Sequence, residues 1–351
     1  MLSILKDFGY EQVSLAVQKA NYAVKMYQKV GFKIVDERTD ERTMKLFAPD
    51  YYKDFFCIAG KCKHSCCVGW EIDVDDETFE YYKSVSGEFG KRLDNGISAE
   101  GEMPHFALSA DERCPFLNEN NLCDIILNLG EDRLCQICAD HPRYRNFFSD
   151  RTEIGLGLCC EAAGRLILTC EKKTRLVVIE DDGVDELVSD EEQVFFALRE
   201  RLFDIAENRT KSLNERIQEM LFVCDITLPQ KSAAEWADIY LGLEHLDFAW
   251  VDRLNELKNI KEISPAGDEW DIPFEQLLVY FLYRHTADSL YDGRFRERVA
   301  FAALGVYIVG ILFAVSGNMT IDELVEIARL YSSEIEYCEE NIDALLGILE
   351  Q

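Results

Sequence analysis

The stretch CIAGKCKHSCCVGW crowds Cys57, Cys62, Cys66 and Cys67 into eleven residues, and Cys114, Cys123, Cys135, Cys138, Cys159 and Cys160 follow by residue 160. An isolated cysteine is usually a small buried hydrophobe, which does not explain this density. In a reducing compartment thiols at such spacing point to metal or redox chemistry rather than to disulfides. Thiolates on short turns can converge on one soft centre, and they select zinc or an iron–sulfur cluster over hard ions. Only Cys135 and Cys138 form a CxxC pair, so a zinc ribbon with two such pairs is disfavoured. Adjacent Cys66 and Cys67 point their side chains differently, so one of the two serves a given ion.

The elements that must position these thiols differ along the chain. Residues 1–47 read as strand, helix, strand, strand, a βαββ pattern in which QKANYAVKMYQKV is a helix ended by Gly31. Residues 48–179 form a loop-rich region holding most of the cysteines. There IDVDDETFEYYKSV predicts a capped helix, DERCPFLNENNLCDI a loop or tight hairpin, and TRLVVIE a strand. The acidic run Glu180–Glu192 marks a solvated connection. Residues 193–351 carry helical periodicity throughout, with Thr320 and Glu323 spaced as a capping box. The expected class is mainly α with a small β component.

The formal net charge of -29 argues against a nucleic-acid partner, which needs a basic patch. The opening MLSILKDFGYEQ has too short an apolar stretch for a secretory signal, so the chain reads as cytoplasmic. Val299–Gly317 is almost uncharged and follows RFRER, yet its length is marginal for a membrane span, and it is read as a helix buried in a multihelical core.

Two resemblances follow. Within residues 1–47, Leu15, Val17, Asn21, Ala23, Tyr27, Lys29, Gly31 and Phe32 resemble the C-terminal end of a GNAT acetyltransferase. No pyrophosphate-binding loop precedes them, so acetyl transfer is not expected. Over Tyr51–Leu168, the segments FCIAGKCKHSCCVGWEIDVD, CPFLNENNLCDIILNLGEDRLC, CADHPR and GLCCEAAGRL resemble, in order and spacing, the flagellin lysine N-methylases and the related CxxCxxCC metal-chelating proteins. His141 stands where that family usually has an aromatic residue and Cys160 where it has proline, so both are read as incidental.

The resemblance implies methyl transfer from S-adenosylmethionine to surface lysines of flagellin, with a [4Fe-4S] cluster or, alternatively, zinc. Cys57, Cys62, Cys66, Cys67, Cys114, Cys123, Cys138 and Cys159 are the ligand candidates; the sequence does not choose among them. A radical S-adenosylmethionine cluster needs CxxxCxxC, which Cys62 and Cys66 begin but Gly69 breaks. No GxGxG follows a leading strand, and GLGLCC, Gly155–Cys160, is a weak substitute. A lysine near pKa ~10.4 must be deprotonated to attack, and aromatic faces can hold its ammonium. Asp73, Glu161 and Tyr144 are the candidates for the first task. Trp70 and Arg143 are candidates for binding the cofactor, although Trp70 reads first as a core residue. The competing class is a non-catalytic zinc- or iron-binding protein whose metal only staples the region.

Overall fold

The computed structural model describes residues 45–101, 103–181, 183, 187–260 and 266–350. The βαββ expectation for residues 1–47 therefore lies outside the described residues except at its end, where β1 (Lys45–Pro49) begins. Met44–Gln351 forms one compact unit.

The first part of that unit is short and irregular. It holds α1 (Asp76–Ser84), α2 (Gly87–Gly96), the two-residue strands β2 (Ile97–Ser98) and β3 (His105–Phe106), α3 (Asp124–Leu129) and α4 (Gln136–Asp140). Asp75 begins α1, as the sequence predicts: its Oδ1 accepts the Thr78 N–H at 3.0 Å. Its other oxygen accepts the Gln136 N–H at 2.9 Å, which ties α1 to α4. These pieces enclose a small core of Ile72, Val74, Tyr82, Leu93, Phe106, Phe116 and Ile125.

A hairpin follows, β4 (Arg143–Phe147) and β5 (Arg151–Leu156), then α5 (Glu161–Leu168) and β6 (Leu176–Glu180). The four-stranded sheet runs β4-β5-β1-β6, with β1 parallel to β5 and antiparallel to β6. TRLVVIE supplies β6 as expected. The hairpin is not visible from periodicity, because Arg143, Tyr144, Arg145 and Asn146 have no apolar–polar alternation; the heads of Arg143, Arg145 and Asn146 reach polar partners.

The helical remainder comprises α6 (Asp190–Ala206), α7 (Leu213–Val223), α8 (Ala233–Leu241), α9 (Phe248–Asn259), α10 (Asp271–His285), α11 (Ser289–Asp292), α12 (Phe295–Ser316), α13 (Ile321–Tyr331) and α14 (Glu339–Leu349). Three of these helices start on complete capping boxes, Ser189 with Glu192, Ser212 with Glu215 and Ser232 with Glu235. At α13 only half of the expected box forms. Thr320 Oγ1 accepts the Glu323 N–H at 3.3 Å, while the Glu323 carboxylate pairs with Arg253. The fold is mainly α with a small sheet, as the periodicity predicts.

The main core joins this bundle to the sheet side. Leu156, Leu158, Ala163, Ile167 and Leu168 pack into the same cluster as the residues of α10, α12 and α13. At its centre is α12, the one helix among the described residues long and apolar enough to cross a membrane, with 72% of its most apolar window buried inside the fold. The basic flank is neutralised internally: Arg298 pairs with Asp288 at 3.0 Å and Asp292 at 2.8 Å. The helix packs as the core element the sequence suggests.

Candidate functional site

The thiols fall into two groups. Cys114 and Cys135 belong to the small core, and Cys67, Cys123 and Cys138 pack against it. Backbone pairing brings them together, since the Cys114 N–H donates to the Cys67 carbonyl at 2.9 Å and Leu117 bridges Cys123. The Cys138 thiol donates to Cys135 Sγ, which raises the proton affinity of Cys138 and lowers that of Cys135. The second group, Cys57, Cys62, Cys66 and Cys160, lies nearer the surface, with Cys57 and Cys160 close enough to raise the proton affinity of Cys62 and Cys66. The Cys66 thiol donates to its neighbour Cys67, so this adjacent pair links the groups. Burial, then the Glu161 carboxylate, pushes the Cys62 thiol up to about 12.

Of the eight ligand candidates, Cys67, Cys114, Cys123 and Cys138 thus meet in the inner group and Cys57, Cys62 and Cys66 in the outer. Cys159 stands next to Cys160 of the outer group but turns to another partner: its thiol is in hydrogen-bond contact with the Tyr337 hydroxyl at 3.2 Å. Cys135 and Cys160, left out of the candidate set, each join a group. The CxxC spacing is a signal that would have included Cys135; no motif pointed to Cys160.

Among the described residues, no three His, Cys, Asp or Glu side chains are gathered closely enough to hold an ion. The chemistry of the inner set, five thiols around one core, nevertheless fits a soft centre and not a hard cation. Cys67, Cys114, Cys123, Cys135 and Cys138 are the residues that would hold it.

The other candidates are dispersed. Trp70 is not a core residue but 38% exposed, oriented by its Nε1–H donating to the Cys66 carbonyl at 2.8 Å. Its ring lies 6.4 Å from that of His141, whose proton affinity burial lowers to about 4. Asp73 bridges the backbone of His105. Glu161, in the first turn of α5, accepts the Lys63 N–H at 2.9 Å and so fixes the loop carrying Cys62 and Cys66. Arg143 is committed internally, donating to Tyr52 Oη at 2.9 Å and the Ala139 carbonyl at 3.1 Å. Tyr144 packs over Gly155, and burial holds its phenol well above the usual range, so it keeps its proton.

A second constellation lies where the loop after β5 meets the helical body. Arg284, at the end of α10, has its guanidinium carbon 4.7 Å from the ring centres of both Tyr144 and Tyr337. Its Nε is 3.2 Å from Glu336 Oε1, and its NH1 donates to Tyr280 Oη at 3.1 Å. Tyr280 donates to Glu336 Oε2 at 2.9 Å, and His285 Nε2 lies 2.6 Å from Oε1. Glu336 ends a π-helical turn, Ser332–Glu336, that continues from α13 and delivers Tyr337 to the surface. Sequence reading missed Arg284, His285, Glu336 and Tyr337, because a π-turn leaves no period and the residues are far apart in the chain.

Gly157 is the close-approach point of this constellation. An added Cβ would stand 2.5 Å from Tyr337 Oη and 3.1 Å from Arg284 NH1, both already held by partners. Gly157→Ala is therefore expected to lower stability by about 1–3 kcal/mol, the usual range for overpacking, read as a shift in urea midpoint with unchanged slope.

A family model, the FliB lysine N-methylase C-terminal domain, matches residues 156–351, more than half of the chain. The chain belongs to this family. The match begins inside β5 and includes Gly157, Cys159, Arg284, Glu336 and Tyr337. The chain is also similar to the flagellar biosynthetic protein FliU of Salmonella muenchen, 28% identical over 126 residues, which cover 34% of this chain and 75% of that protein. It is 27% identical over 128 residues to a lysine-N-methylase of Salmonella choleraesuis and, to the same extent, to one of Salmonella typhimurium. The matched part is 34% of this chain but only about a third, 31%, of each of those two relatives. No solved structure matches.

Proposed function

We propose that this chain transfers methyl groups from S-adenosylmethionine to lysine side chains of a flagellar protein, flagellin first among them. The observation that carries this reading is the lysine N-methylase family match over residues 156–351, which takes in the loop bearing Cys159 and Cys160 and the helices that close around it. The names of the Salmonella relatives support it, one a flagellar biosynthetic protein and two lysine-N-methylases.

The reaction is a polar displacement. The lysine ammonium first loses a proton to solvent, its nitrogen then bonds to the methyl carbon, and the sulfonium leaves as neutral S-adenosylhomocysteine. The acidic surface of a chain with net charge -29 favours the approach of a cationic side chain. A thiolate-bound iron–sulfur or zinc centre held by the inner cysteines would order the small core electrostatically and structurally.

The test uses the full chain, purified anaerobically, with flagellin and methyl-labelled S-adenosylmethionine. Methyllysine and S-adenosylhomocysteine are expected in equal amounts, with no 5′-deoxyadenosine and no requirement for dithionite. Strict dependence on dithionite together with 5′-deoxyadenosine would overturn the polar route. Absence of any methyllysine would overturn the methylase reading, and iron, zinc and acid-labile sulfide measured on the same sample identify the centre.

A further inference from the structure

The four-stranded sheet ends on two unlike edges. At one, β4 carries Arg143 and Arg145, and charge on an edge strand discourages another strand from adding. At the other, β6 reads LVVIE, apolar and β-branched, with neither proline nor lysine inside it. Val177 and Val178 point to opposite faces of the sheet, yet they are 38% and 44% exposed, so neither face is closed over at this strand.

The backbone of β6 is open on its outer side. The Asp50 N–H donates to the Arg175 carbonyl at 2.8 Å, and Leu176 stands opposite Pro49, which has no N–H. By the alternation of an antiparallel ladder, Arg175 and Val177 turn their backbone groups toward β1, while Leu176 and Val178 turn theirs outward. Among the described residues no strand pairs with that side.

The charges that flank the strand specify what fits there. Lys172 and Lys173 precede it, and Glu180 and Asp181 close it; all four are exposed and make no ion pair among the described residues, whereas Arg175 is already held by Glu207. A strand that is basic before its apolar stretch and acidic after it is complementary to itself when run antiparallel.

We infer that β6 is the pairing edge for a second copy of this chain, joining the two four-stranded sheets into one across a two-fold axis. Leu176 and Val178 of one copy exchange backbone hydrogen bonds with Val178 and Leu176 of the other. Val177 then faces its own counterpart on the axis, and the lysines of each copy lie beside the carboxylates of the other.

The experiment is sedimentation velocity of the full chain over a concentration series, under reducing conditions so that no disulfide links the copies. Wild type is expected to dimerise. Val177→Lys and Val177→Glu each set like charges face to face on the axis and should weaken the dimer roughly tenfold or more, whereas the two variants mixed place opposite charges there and should associate again. Matched urea midpoints show that a variant is folded. Where one is not, Lys172→Glu with Lys173→Glu, exposed changes outside the strand, is expected to loosen the dimer by a similar factor. Wild type that stays monomeric throughout the series overturns the proposal, as does a dimer that none of these changes weakens, or a mixture that associates no better than either Val177 variant alone. Wild type that is monomeric by itself but binds flagellin through Val177 gives the edge to that protein and equally overturns pairing with a second copy.

Discussion

Glu336→Ala is expected to destabilise the chain by about 3–5 kcal/mol at pH 7, because it strands the buried Arg284 guanidinium without its countercharge. The aromatic faces of Tyr144 and Tyr337 and the hydroxyl of Tyr280 remain, but none carries a negative charge. The effect should depend on pH. Despite its burial, the Arg284 guanidinium and the His285 hydrogen bond hold the Glu336 carboxyl down to about 2, against an ordinary 4.5. Its contribution is therefore fully present above about pH 4.5 and is lost as pH falls from there toward 2. Burial also depresses His285 below its ordinary 6.5, so protonation of that imidazole opposes folding in the same direction as pH drops. Urea melts of both proteins between pH 3 and 7 should show the gap between wild type and variant narrowing on the acid side. A gap under about 1 kcal/mol at neutral pH, within the range of an exposed pair, would contradict this account.

The second large effect is at Glu153. From β5 its two oxygens receive Arg199 NH1 at 2.8 Å and NH2 at 2.6 Å, with both residues almost wholly buried. The guanidinium also lies within 6 Å of the rings of Phe148, Phe195, Phe196, Phe203 and Tyr283. Glu153→Ala should cost about 3–5 kcal/mol, since the aromatic surround softens but does not replace the lost carboxylate. Replacing the pair together, Glu153→Met with Arg199→Met, should recover most of that loss. Shape-matched apolar groups often equal a buried ion pair. Thermal melts of the three variants decide it, and a double variant as unstable as Glu153→Ala would show that the pair contributes more than its own desolvation cost.

The helical body was legible because its signals are local: serine caps three residues before glutamate, and apolar residues on one face, as at Ser212–Val223. The central placement of α12 followed from its composition. The hairpin Arg143–Leu156 was not legible, since its inner face includes charged Glu153, whose partner Arg199 lies on a helix beyond the acidic connection. At the candidate site, spacing showed that the thiols belong together but not how they divide. Cys159 reads as a ligand candidate and its neighbour Cys160 as incidental, yet the turn into α5 sends Cys159 to Tyr337 and Cys160 toward Cys57 and Cys62. The Arg284–Glu336 network was invisible for the same reason, as it joins the end of one helix to a π-turn 52 residues later.

The position of β1 has a kinetic consequence. It is an inner strand, yet its neighbours are Arg151–Glu153 on one side and Leu176–Glu180 on the other, both more than a hundred residues downstream. During synthesis it leaves the ribosome long before either partner exists, with both hydrogen-bonding edges open. Closing such long loops is entropically slow compared with helix formation, so the sheet should set the folding rate while the helices of the C-terminal half assemble quickly around α12. The interval before residue 180 is made is therefore the one in which a nascent chain most needs protection from pairing with its neighbours.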